Sequence, residues 1–113
     1  MTDVLVTTWT DVCGLDQLQI GRGVAALIGE HQVALFRWDD DTVYAVSNFD
    51  PFSQAYVMAR GIVGSRGAAR KVASPIYKQN FDLATGECLD DAGVALVTFP
   101  VRIIDARIEV GSP

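Results

Sequence analysis

Lys71-Val72-Ala73-Ser74-Pro75-Ile76-Tyr77-Lys78-Gln79-Asn80-Phe81-Asp82-Leu83-Ala84-Thr85-Gly86-Glu87 is the stretch on which the reading of the fold turns. Lys71 to Ser74 has strand character and Pro75, which lacks a backbone donor, interrupts it. Tyr77 to Leu83 reads as the next strand, and Ala84-Thr85-Gly86-Glu87 as the tight turn that ends it. The chain continues in the same manner toward its C-terminus. Ala95 to Phe99, Pro100 to Ile104 and Arg107 to Val110 are apolar, β-branched runs, with Asp105-Ala106 as the last turn.

The N-terminal half reads as short strands too. Val4 to Trp9 predicts a strand, and Thr10 or Asp11 is placed to cap one helical turn through Leu15-Asp16-Gln17-Leu18, ending at Gly21. Val24 to Ile28 and Val33 to Trp38 flank Gly29-Glu30-His31-Gln32 as a hairpin, and Asp39-Asp40-Asp41 turns the chain into Val43 to Val46. No segment keeps a 3.6-residue apolar period. Short strands at this spacing predict an all-β antiparallel sandwich or small barrel with little helix.

Composition sets the outer bounds. The 113 residues suit one domain over 1–113, burying roughly 65% of its unfolded surface. The chain is 50% hydrophobic and 20% charged, which argues for a packed core rather than disorder. No apolar run approaches the ~20 residues of a membrane helix, and Met1-Thr2-Asp3-Val4 does not open a secretory signal, so a cytoplasmic protein is expected. Cys13 and Cys88 sit in no paired motif and read as reduced, mostly buried thiols. A net charge of −5 disfavours nucleic acid as a partner. The basic residues Arg60, Arg66, Arg70, Lys71 and Lys78 nevertheless gather in the middle of the chain, away from Asp39-Asp40-Asp41 and Asp90-Asp91.

Phe81-Asp82-x-x-Thr85-Gly86, followed by an apolar strand, a Pro-Val step and a closing hairpin, resembles the second half of a Rieske domain. In that family a Cys-x-His box and a Cys-x-x-His box on facing loops hold a two-iron cluster, with thiolates on one iron and imidazoles on the other. Laid on this chain, the first box falls on Asn48-Phe49-Asp50 and the second on Ser74-Pro75-Ile76-Tyr77. The resemblance thus puts Asn48, Asp50, Ser74 and Tyr77 at the four ligand positions, and this set suits neither iron nor sulfide. Asn48, Asp50 and Ser74 are residue types that hydrogen-bond turn backbone, and Tyr77 is expected to fill the vacated space. A different metal bound by Asp50 and Tyr77 would have too few ligands.

A narrower likeness spans nearly the whole chain. Asn48-Phe49-Asp50-Pro51-Phe52-Ser53, Arg60-Gly61-Ile62-Val63-Gly64 and Lys71 through Leu83 resemble the small subunits of cytoplasmic NAD(P)H-dependent nitrite reductases. That resemblance implies a cluster-less Rieske-like subunit without a catalytic, metal or cofactor site of its own. Its implied partner is a large subunit carrying FAD, an iron–sulfur cluster and siroheme, which reduces nitrite to ammonium with electrons from NAD(P)H. A free-standing cluster-less binding or regulatory module is the alternative.

Arg60, Arg70, Lys71, Tyr77, Lys78 and Gln79 are the candidate docking residues, with Arg66 in the same basic group. Phe52, Tyr56 and Met58 either anchor an interface or, as preferred, cover the old cluster cavity. Trp9 and Trp38 read as core or sheet-edge residues. Gly61, Gly64 and Gly67 do not lie between a strand and a helix, so they make no phosphate cradle. His31 is the one histidine, in a turn distant from both boxes, and no catalytic constellation forms around it.

Overall fold

The computed structural model describes residues 2, 3, 6 and 8–113. Its strands are β1 (Thr2–Asp3), β2 (Thr8–Gly14), β3 (Gly23–Ile28), β4 (His31–Arg37), β5 (Val43–Ser47), β6 (Phe49–Asp50), β7 (Ala55–Tyr56), β8 (Ile62–Arg66), β9 (Ala69–Ala73), β10 (Asn80–Asp82), β11 (Val97–Phe99), β12 (Val101–Ile104) and β13 (Arg107–Ser112). Among the described residues the helical content is two 3-10 turns, Leu15–Gln17 and Met58–Arg60. The strands form four sheets, ordered β1-β11-β5-β4-β3, β10-β9-β8, β12-β13-β2 and β6-β7. Among the described residues all pairs of strands are antiparallel except β1 with β11.

β4 explains how these sheets stack. Side chains alternate across a strand, and here both sides are covered. Val33 and Leu35 enter one apolar cluster with Leu18, Val43, Ala45, Phe99, Ile108 and Val110. Ala34 and Phe36 enter a second with Val46, Met58, Val72, Phe81, Leu83 and Leu96. β5 divides in the same way, with Val43 and Ala45 on one side and Val46 on the other. The five-stranded sheet is therefore the middle of three layers. β2, β12 and β13 cover one face, and β8, β9 and β10 cover the other. Each fully buried aromatic in this packing, Phe36 or Phe81, contributes roughly 1.5–3 kcal/mol from the water it sheds.

The hairpins follow the sequence expectation with small shifts. The first turn contracts to Gly29-Glu30, with Ile28 opposite His31, so His31 opens β4 rather than lying in the turn. Its ring packs against Phe99 at 5.5 Å between centroids. Thr10 and Asp11 do not cap a helix. They lie within β2, opposite Val110 and Glu109, and Gly14 precedes the 3-10 turn instead. The pairing of β2 with β13 supplies a tertiary reason to stay extended that local capping preference lacks. Of the strand expected over Val4 to Trp9, Val4, Leu5 and Thr7 lie outside the described residues, and Thr8 and Trp9 begin β2.

The Phe81-to-Gly86 motif is built as a stop. Phe81 is fully buried and 6.0 Å from the Phe52 ring. Asp82 Oδ1 accepts the amides of Ala84 (2.8 Å) and Thr85 (3.1 Å), and Thr85 Oγ1 accepts that of Glu87 at 3.2 Å. Gly86 takes φ 81°, where a Cβ would collide with the Leu96 carbonyl oxygen, so no other residue fits the turn without moving the chain. The strand expected from Tyr77 begins only at Asn80. Lys78, with φ 63°, breaks the extended conformation just before it.

Candidate functional site

Two loops meet at one end of the molecule. The first leaves β5 at Asn48, runs through the short β6-β7 ribbon and ends in the Met58–Arg60 turn. The second runs from Ser74 to Gln79 between β9 and β10. The first is fastened to the body by Asn48. Its backbone amide donates to Gln32 O (2.9 Å), its backbone carbonyl accepts the Met58 amide (3.0 Å), and its side-chain Oδ1 accepts the Ala59 amide (2.7 Å). Met58 is then fully buried in the second cluster. Gly23 lets this turn lie against β3, since a Cβ there would strike the Ala59 carbonyl oxygen and the Phe36 ring.

Asp50 joins the two loops. Its Oδ1 accepts the Phe52 amide at 2.9 Å, and its Oδ2 accepts the hydroxyls of Ser53 (2.8 Å) and Ser74 (2.5 Å). Ser74 in turn donates its amide to Gln79 O (2.9 Å), closing the second loop on itself, while its Oγ accepts the Ile76 amide at 3.4 Å. Asn48, Asp50 and Ser74 are all buried. Burial alone would raise the Asp50 pKa. The hydroxyls of Ser74 and Ser53 and the amides of Phe52 and Ser53 outweigh it, and the carboxyl is held below its ordinary range.

The structure thus joins two of the four box positions, Asp50 and Ser74, buries Asn48 against the Met58–Arg60 turn, and leaves the fourth apart. Tyr77 is 61% exposed at the loop surface and does not fill the space between the boxes. The direct bond between Asp50 and Ser74 closes that space instead. Phe52 and Met58 pack inward on the second cluster, whereas Tyr56 is exposed beside Phe49, 5.1 Å between ring centroids. The basic candidates divide as well. Arg70 stacks on Trp38 at 5.0 Å and donates to the Tyr44 hydroxyl at 3.1 Å. Lys71 donates to Asn80 Oδ1 at 2.7 Å, and Arg66 pairs with Asp90 at 2.9 Å. Gln79 is partly buried, and its Oε1 is enclosed without a hydrogen-bond donor among the described residues. Arg60, Tyr77 and Lys78 remain exposed. Sequence alone does not reveal the engaged cations, because their partners lie up to 26 residues away.

A Rieske centre takes two thiolates and two imidazoles, and this donor set does not fit it. The chain has one histidine, and its ring packs on Phe99 at the start of β4. Cys13 packs against the first apolar cluster and Cys88 is buried in the second, both as free thiols. Burial pushes the Cys13 thiol up, away from the thiolate a metal requires. Among the described residues no three His, Cys, Asp or Glu side chains gather as a metal site.

Comparison with known proteins agrees with the fold and narrows the class. The model of the Rieske-like [2Fe-2S] domain matches residues 8–111. A Mycobacterium tuberculosis crystal structure, provisionally described as an NADH-dependent nitrite reductase small subunit, superposes with a TM-score of 0.90 at 51% identity. That match covers 94% of this chain and 96% of that one. The nitrite reductase (NADH) small subunit of Salmonella typhimurium is 40% identical over 107 residues, 94% of each chain. In Klebsiella oxytoca the similarity, 38% over 104 residues, falls within a protein named nitrite reductase [NAD(P)H] large subunit. It takes in 92% of this chain and only 11% of that one. The chain belongs to the Rieske-like domain family and, within it, to the nitrite reductase small subunits.

Proposed function

We propose that this chain is the non-catalytic small subunit of a cytoplasmic, assimilatory NAD(P)H-dependent nitrite reductase. It binds and supports a large subunit that holds siroheme, FAD and an iron–sulfur cluster and reduces nitrite to ammonium. The observation that carries this reading is the Klebsiella oxytoca relative, in which a domain like this one is part of the large polypeptide itself. A domain covalently joined to the large chain in one organism is well suited to bind it as a separate subunit in another.

The site chemistry supports a structural role over an electron-carrying one. The two loops at the cluster-box positions are fastened by hydrogen bonds from Asn48, Asp50 and Ser74, which supports a structural role for these residues. Such a subunit acts by binding the folded partner and stabilising it, by mass action. Free Cys13 and Cys88 suit the reducing cytoplasm.

The test is reconstitution. Purified large subunit is assayed for NAD(P)H-dependent nitrite reduction, and for its thermal inactivation rate, with and without this chain. The reading predicts higher activity or slower inactivation, saturating at a fixed ratio of the two chains. No effect on either, with no complex on gel filtration, would leave the free-standing module as the better account.

A further inference from the structure

From Pro51 to Phe81 the chain contains Arg60, Arg66, Arg70, Lys71 and Lys78 and not one Asp or Glu, although the whole protein carries −5. The fold disposes of most of its cations. Arg66, Arg102 and Arg107 form ion pairs, Arg37 is spent on the carbonyls of Leu15, Leu18, Asp39 and Asp40, and Arg70 and Lys71 are held by Tyr44 and Asn80. Among the described residues this leaves Arg22, Arg60 and Lys78 with no acceptor for their side chains. Arg22 and Arg60 line one surface groove of about 490 Å³, and Lys78 lies on the second loop.

The same region exposes large apolar side chains. Tyr56 is 57% exposed, Ile62 73%, Ile76 46% and Tyr77 61%. Local geometry keeps them close to the Asp50–Ser74 bond. Tyr56 is opposite Phe49 in the ribbon, Ile62 is opposite Ala73, and Ile76 and Tyr77 come just after Ser74-Pro75 in the second loop. Each loop also contains a non-glycine residue in the left-handed region, Gln54 at φ 58° and Lys78 at φ 63°. Such backbone is strained and persists where the surroundings enforce it, as at ligand clamps and switch regions.

We propose that this loop end is the docking surface for the large subunit. Tyr56, Ile62, Ile76 and Tyr77 form its apolar centre, and Arg60 and Lys78 are cations awaiting carboxylates on the partner. The inference rests on the subunit reading above and adds the face and the chemistry of the contact. Aromatic anchors in a desolvated centre carry most of the energy of an interface, and charges at its edge set on-rate and salt dependence. The partner patch is accordingly acidic around an apolar recess. Arg70 and Lys71 are already held by Tyr44 and Asn80, so the charge test falls on Arg60 and Lys78.

The test measures binding of this chain to immobilised large subunit at two salt concentrations. Tyr77→Ala should weaken binding about tenfold or more. The double reversal Arg60→Glu/Lys78→Glu should slow association at low salt and flatten the salt dependence. Arg102→Glu/Arg107→Glu, an equal change of charge on the opposite layer, should bind like the wild type, and circular dichroism with thermal melting establishes that each variant is folded. Wild type that binds while folded loop variants bind equally well overturns the docking face and leaves the subunit reading intact. Wild type that does not bind overturns both.

Discussion

The loop end and the β2-β12-β13 layer both place charged side chains beside partners, to different effect. On the layer, Arg107 pairs with Asp11 at 2.7 Å and Arg102 with Glu109 at 2.6 Å, all on the surface. At the loop end a buried carboxylate, Asp50, receives two hydroxyls and an amide and ties two segments that share no strand pairing. Solvated ion pairs decorate a surface whose shape the β-ladder already fixes. A buried polar bridge has no such ladder beneath it, so it determines how the loops stand. Water competes for the first kind of contact and is excluded from the second.

Substitutions should separate the two regions by size of effect. Met58→Ala, beneath the first loop, should cost about 2–5 kcal/mol in urea unfolding, since it leaves a cavity in the second cluster. A loss below about 1 kcal/mol would mean that the loop is only loosely fastened to the body. Asp50→Ala should cost about 1–3 kcal/mol by stranding buried donors, and a double-mutant cycle with Ser74→Ala should show a coupling well above zero. Additive effects would break the contrast, because the bridge would then be no more cooperative than the surface pairs.

Acid sharpens it further. The Asp50 carboxyl is held below its ordinary value, so its contribution to stability is complete above the unfolded pKa and is lost as pH falls through the folded one. Asp90, drawn down to about 2 by the Asn80 amide and Arg66, follows the same sign on an exposed site. The wild type should therefore lose more stability than Asp50→Ala as pH is lowered below the carboxylate range, measured by unfolding at a series of pH values. Parallel curves would contradict the assignment. The smallest change is expected for Arg107→Ala, within about 0.5 kcal/mol of wild type, because exposed ion pairs contribute little.

Much of the scaffold was readable from residues. The β3-β4 hairpin announces itself through Gly29-Glu30-His31-Gln32 between apolar runs, a turn the strand pairing shortens to Gly29-Glu30, and the Phe81-to-Gly86 stop through its Asp, Thr and Gly. Val33 to Phe36 reads as an unbroken apolar run, and the structure gives the reason, since β4 is covered on both faces. β6 and β7, two residues each, are too short to leave a periodic signal. The site was legible in part. Asn48, Asp50 and Ser74 signal hydrogen-bonded turns by type, but that Asp50 reaches Ser74 across 24 residues is a property of the fold. Tyr77 misled because an aromatic following a proline break looks like filler, whereas the loop turns it outward. The division of the basic cluster into engaged and free members likewise depended on partners distant in sequence.

We propose that this Rieske-like fold works by contact rather than by carrying electrons. Its most direct test is the visible absorption spectrum, with iron and acid-labile sulfide analysis, of the chain purified anaerobically from iron-replete cells. The prediction is a colourless protein without stoichiometric iron or sulfide. A brown protein with two irons per chain would contradict it and return Asn48, Asp50, Ser74 and Tyr77 to scrutiny as ligands.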